Sequence, residues 1–155
     1  MKAKTIVLTL ALCFVTTAVC FASGGVHTGT WKLNVDKSKF APGATKNTTV
    51  VYEDVGDNVK VTVDGTDRDG NHVHNEWTGK FDGKDSPVTG DPDSDARSYK
   101  MVNDHTLAFT AKKGGKITLT GKIVVSADGK TRTVTTSGTN AQGKKFKNVA
   151  VYDKQ

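Results

Sequence analysis

His72, His74 and Glu76 alternate along one stretch. In an extended strand their side chains therefore leave from one face, in steps of about 6 to 7 Å. Two imidazoles and a carboxylate so spaced can share a zinc ion; no fourth ligand is evident, and the same pattern is ordinary solvated polarity on an outward face. Asp91, Asp93 and Asp95 offer alternate carboxylates to calcium, but Ala96 and the residues after it lack the glycine and distal glutamate of a calcium loop, and a solvated turn is the better reading. Nucleophilic catalysis finds no GxSxG elbow and no histidine with an evident acid in a strand-to-helix context. Nearly every aspartate lies in a turn, which leaves no defensible carboxylate pair for acid-base work. The chemistry that remains is binding, without an enzyme's reaction and without a cofactor.

The elements that would position such residues are strands. Val59, Val61 and Val63 share a face opposite Lys60, Thr62 and Asp64, a strict period of two. A frame shift of 73 positions brings the same register back: Gly56 falls on Gly129, Val61 on Val134, Gly65 on Gly138, Gly70 on Gly143 and Asn75 on Asn148. This is the mark of an internal duplication, with units Asn47 to Phe81 and Thr120 to Tyr152. Strands are expected at Thr28 to Leu33, Asn47 to Asp54, Val59 to Asp64, His72 to Phe81, Ala96 to Val102, Thr106 to Lys112, Lys116 to Ser126, Thr131 to Thr139 and Lys145 to Asp153. Asn34 to Lys46 and Asp82 to Asp95 are expected to be irregular. Gly and Asx turns join most of the strands, and no window holds a 3.6 period. The expectation is an all-β, antiparallel, up-and-down meander of eight or nine strands closing into a barrel, since closure removes both edges.

Along His72 to Phe81, the large aromatics Trp77 and Phe81 fall on one face with Val73 and Asn75 and mark it as buried. Small inward residues leave room for a cavity, with Trp31, Val61, Trp77, Phe81, Phe109, Arg132 and Tyr152 as the candidate ligand-binding set. Arg132 takes the place of Val59 in the duplicated frame. An unpaired buried guanidinium is costly, so it must meet an acid, reach the barrel mouth or bind an anion. Its position just past Asp128-Gly129-Lys130 favours a simpler outcome, a side chain that snorkels to solvent.

Met1 to Lys4 is basic, Thr5 to Phe21 is apolar, and Cys20-Phe21-Ala22 ends in the small residue a signal peptidase reads. Residues 1–22 are thus expected to be a signal peptide, with the domain at 23–155, exported to a periplasm or secreted. At about 17 residues the apolar run is at the short limit for a span, so no transmembrane span is expected in the mature chain. Both cysteines, Cys13 and Cys20, would leave with the leader, and with them all thiol and disulfide chemistry. Lys2 and Lys4 account for two of the +6 formal charges, leaving +4. The lysines that remain flank turns rather than forming a stripe with aromatics, which argues against nucleic acid. A monomer is expected.

Gly29-Thr30-Trp31 resembles the GxW start of the calycin group, the lipocalins and intracellular fatty-acid-binding proteins. That resemblance implies a barrel holding a small apolar ligand inside. The departures are a connector at Asn34 to Lys46 too short for a helical lid, and a last strand where only Tyr152 matches the Arg and Tyr carboxylate clamp. More broadly the chain looks like a group of exported bacterial lipocalin-like proteins. The expected function is non-enzymatic binding of a small apolar or amphipathic ligand in the barrel. The alternatives are an envelope metal-binding protein using His72, His74 and Glu76, or a packed structural β domain.

Overall fold

The computed structural model describes residues 24–139 and 143–155, so the leader and both cysteines lie outside the described residues. Ten strands follow a short 3-10 turn at Gly25–His27: β1 (Gly29–Lys39), β2 (Lys46–Val55), β3 (Asn58–Thr66), β4 (His72–Gly79), β5 (Ser86–Thr89), β6 (Ala96–Asn103), β7 (Thr106–Lys113), β8 (Lys116–Val125), β9 (Thr131–Thr139) and β10 (Lys145–Lys154). Each pairs antiparallel with its chain neighbours, and β1 also pairs with β10, so the meander closes into a barrel. Closure satisfies both ladder edges, which is the reason the alternating pattern predicts it.

Two expectations need correction. Asp82 to Asp95 is not wholly irregular, because β5 lies within it. Pro87 cannot donate to a ladder, and four residues between Asp85 and Gly90 carry little strand signal. Lodging between β4 and β6 makes the segment a strand, with Trp77 paired to Val88 and Pro87 to Ala96. The first strand likewise does not end at Leu33 but runs to Lys39, after an outward excursion between Asn34 and Lys39. Ser38 makes the excursion possible. Its Oγ accepts the Val151 amide at 2.9 Å and donates to the Asn34 carbonyl at 2.6 Å, standing in for main chain in the ladder.

The duplication is structural. One unit is β2 to β4 and the other β8 to β10, and they flank β1 and Trp31 in a single wall. In both, the shared frame puts glycine where the neighbouring strand crosses closest. A Cβ on Gly65 would run into the Lys46 carbonyl, and one on Gly138 would run into the Thr118 carbonyl. The inward side chains form one core that includes Trp31, Tyr52, Val61, Trp77, Tyr99, Leu107, Ile123 and Tyr152.

Candidate functional site

One end of the barrel is shut from below. Gly25 sits in the left-handed region at φ 53°, which lets the chain turn just before β1 and drive His27 under the barrel. The turn is held at three points. Trp31 Nε1 donates to the His27 carbonyl at 2.8 Å, Lys154 Nζ to the Val26 carbonyl at 3.3 Å, and the Gly24 amide to Asp54 Oδ1 at 2.6 Å. His27 is fully buried with its ring edge-on to Phe81. Burial lowers its pKa to about 4, with help from the nearby Arg132 charge, so the imidazole is neutral at ordinary pH.

Above this plug lies Arg132, only 2 % exposed, rather than snorkelling to solvent as its position near a turn suggests. The ladder explains the difference. Ser126 closes the β8–β9 turn through its amide and the Thr131 carbonyl, so Arg132 is already in register with Tyr152 and Val125 and points inward. Its guanidinium carbon lies 4.6 Å from the Tyr152 ring centre and 5.0 Å from those of Trp31 and Tyr52. Three ring faces attract the cation through their quadrupoles, more strongly for being dry. Burial raises both phenols, Tyr152 to about 12, and both stay neutral.

The middle of the barrel is filled by a layer of rings. Tyr99 is its hub, with centres at 4.7 Å to Trp77, 5.7 Å to Phe109, 5.8 Å to Phe81 and 6.4 Å to Tyr52. Beside it, Arg97 spans the β4–β6 side. It pairs with Asp91 at 2.9 Å and reaches Asn75 Oδ1 and the Tyr99 hydroxyl at 3.4 Å each. Asp91 also accepts the Asp93 amide and the Ser94 hydroxyl, so the aspartate loop is built around an internal ion pair.

The far end differs between the two copies of the repeat. On the first, inward residues stay buried almost to the rim: Val59, Val61, Val63 and Gly65 on β3, Asn75, Trp77 and Gly79 on β4. On the second, burial fades toward the mouth. Gly121 and Leu119 on β8, Thr136 and Gly138 on β9, and Asn148 and Phe146 on β10 are all half-exposed although their phase is inward. The Phe146 ring covers Gly138. A hollow of about 370 Å³ runs along this rim, with Leu119, Gly138, Phe146 and Lys145 in its lining. A second, of about 470 Å³, lies between the β1–β2 loop at Phe40–Ala44 and the β3–β4 turn. The β1–β2 loop is tied across to β10 where Asn148 Oδ1 accepts the Ala41 amide at 2.8 Å.

Of the candidate ligand residues, the structure brings Trp31, Val61, Trp77, Arg132 and Tyr152 together as packing, each at most 3 % exposed. Phe81 joins them, partly buried, in the ring layer. Phe109, over Gly121, faces the open side. Sequence reasoning places Thr136 and Gly138 inward through the duplicated frame but misses Leu119, Gly121, Phe146 and Asn148 at the mouth, and the 73-residue frame carries a signal of change at two positions. It sets Thr136 against Val63, a change of polarity, and Phe146 against Val73, a change of size.

On the outside of β4, His72, His74 and Glu76 do project from one face, with His74 Nε2 3.9 Å from Glu76 Oε1, but each is engaged by a residue of β3. His74 Nδ1 is 2.7 Å and His72 Nε2 3.3 Å from Asp64 Oδ1 on β3, while Glu76 is taken by Lys60 at 2.7 Å, which holds its carboxyl below the usual range. Among the described residues no group of three His, Cys, Asp or Glu could hold a metal ion.

No protein-family model matches the chain, and no curated protein does. Among solved structures the chain is similar to EF1p2_mFAP2b bound to DFHBI, at 12 % identity and a TM-score of 0.49 over 86 % of this chain and 98 % of that one. It is also similar to a redesigned beta barrel, mFAP1, bound to DFHBI, at 16 % identity and a TM-score of 0.46 over 86 % of this chain and all of that one.

Proposed function

We propose that this chain is an exported barrel that binds a small amphipathic molecule at its open mouth and performs no reaction on it. The observation that carries the reading is the loss of burial along the inward face of β9 and β10, at Val134, Thr136, Gly138 and Asn148, whose counterparts Val61, Val63, Gly65 and Asn75 on β3 and β4 are buried. Inward apolar residues that water can reach are the usual lining of a ligand site, and a few polar groups among them set its orientation. Leu119 and Phe146 offer the apolar surface; Thr136, Asn148 and Lys145 offer the polar contacts. The ring layer around Tyr99 limits how deep a ligand can go, so it lies above the aromatic floor rather than filling the barrel. Export rests on the composition of residues 1–22.

The test is a titration of the purified protein with the fluorescent amphiphile 1-anilinonaphthalene-8-sulfonate, beside native mass spectra of protein from its source cells. Thr136→Trp fills the mouth and is expected to lower affinity at least tenfold, with Lys60→Gln on the outer wall leaving it unchanged. Equal affinity in the Thr136→Trp protein, provided it is folded, would remove the mouth as the site.

A further inference from the structure

The closed end holds more positive charge than its surroundings answer. Arg132 is 2 % exposed, and neither its Nε nor its Nη1 has a hydrogen-bond partner; fully buried His27 has none at either ring nitrogen. Both pack against Trp31, Arg132 with its guanidinium carbon 5.0 Å from the ring centre and His27 through its carbonyl, which accepts from Nε1 at 2.8 Å, and the Arg132 charge helps to lower the imidazole pKa. No carboxylate forms an ion pair with Arg132 among the described residues, whereas the barrel's other inward arginine, Arg97, has Asp91 at 2.9 Å.

The aromatic cage answers only part of this demand. The Tyr52 hydroxyl is within reach of the guanidinium, but ring faces accept hydrogen bonds poorly, and the Nε and Nη1 groups left unpaired each cost a sizeable fraction of a hydrogen bond's desolvation. A buried unsatisfied donor in a native fold calls for a specific explanation, and a bound water or ion is one that answers it by hydrogen bonding. A neutral water would satisfy a donor and leave the charge; an anion satisfies both. The neutral imidazole contributes one further N–H.

We propose that the closed end is a site for a small monovalent anion of the halide class, held by Arg132 and His27 beneath the aromatic cage. It is separate from the mouth, because Val61, Trp77 and the Tyr99 layer are packed between the two. The plug side is closed by the Gly25–His27 turn, so access from that side requires breaking the bonds to Asp54, Trp31 and Lys154 that hold it.

Crystals of the protein soaked in sodium bromide test this directly. The expected result is an anomalous bromide peak within hydrogen-bonding distance of the Arg132 guanidinium; a water molecule there, or bromide only on the outer surface, would overturn it. In solution, the unfolding midpoint is measured in sodium chloride against sodium gluconate at equal ionic strength. A rise of several degrees in chloride is expected for the natural protein, with that rise lost in Arg132→Met and reduced in His27→Leu. A midpoint indifferent to chloride would also overturn the site. Should Arg132→Met fail to fold, the bromide peak and the His27→Leu series still decide.

Discussion

The two copies of the repeat share a backbone and differ in what they do with the space inside it. β3 presents Val59, Val61 and Val63 and β4 presents Asn75 and Trp77, all of them buried; β9 and β10 present Arg132, Val134, Thr136, Phe146 and Asn148, and burial falls away toward the mouth. The frame that survived the duplication is the part the backbone requires. Gly65 and Gly138 each face a crossing carbonyl, so neither tolerates a side chain without a shift. The residues between them were free to change. In the first copy they fill the barrel, and in the second they leave one end open and place a cation at the other.

Removing a ring from each copy should therefore differ in effect. Trp77→Ala removes a ring buried against Tyr99 and Phe81, and a loss of about 3 to 5 kcal/mol is expected by chemical denaturation. Phe146→Ala, at the half-exposed mouth, should cost about 1 kcal/mol while weakening amphiphile binding. Similar losses for the two would mean that the mouth is packed after all.

The closed end is probed by pH. His27 has its folded pKa lowered to about 4 from an ordinary 6.5. Between those values the unfolded chain takes up a proton that the folded chain refuses. Stability is therefore present in full above pH 6.5, falls as the pH drops toward 4, and is level in this respect below it. The loss from this residue is about 3 kcal/mol. Urea unfolding in halide-free buffer should show that slope, and His27→Leu should flatten it.

Smaller effects sharpen the comparison at single positions. Val61→Ala, in the packed copy, should cost about 2 kcal/mol, and Val134→Ala, its half-buried counterpart, under about 1 kcal/mol. Asn148→Ala removes the acceptor for the Ala41 amide, at a cost of about 1 kcal/mol. Faster hydrogen exchange at Ala41, with no change at Asn75, would locate that effect in the β1–β2 loop.

Much of the fold was legible because it depends on local alternation. Period-two patterning, Gly and Asx turns and the 73-residue frame specify an antiparallel meander, and an unpaired meander edge favours closure. Strand β5 was not legible, since Ser86–Thr89 has a proline and too few residues to show a period; only its place between β4 and β6 makes it a strand. The excursion before Lys39 was hidden for a similar reason, because it depends on Ser38 meeting Val151 from the far end of the chain.

For the candidate site the division is sharper. The amino-acid sequence by itself determined which residues point inward, Arg132 included, because phase along a strand is a local property. Whether an inward residue is packed, caged or open to water depends on the strands it faces and on what covers each end. That was decided by closure of the barrel, by the His27 plug beneath Arg132 and by the ring layer around Tyr99, all of which join residues distant in the chain. Burial is a property of the assembled barrel, and no single strand carries it.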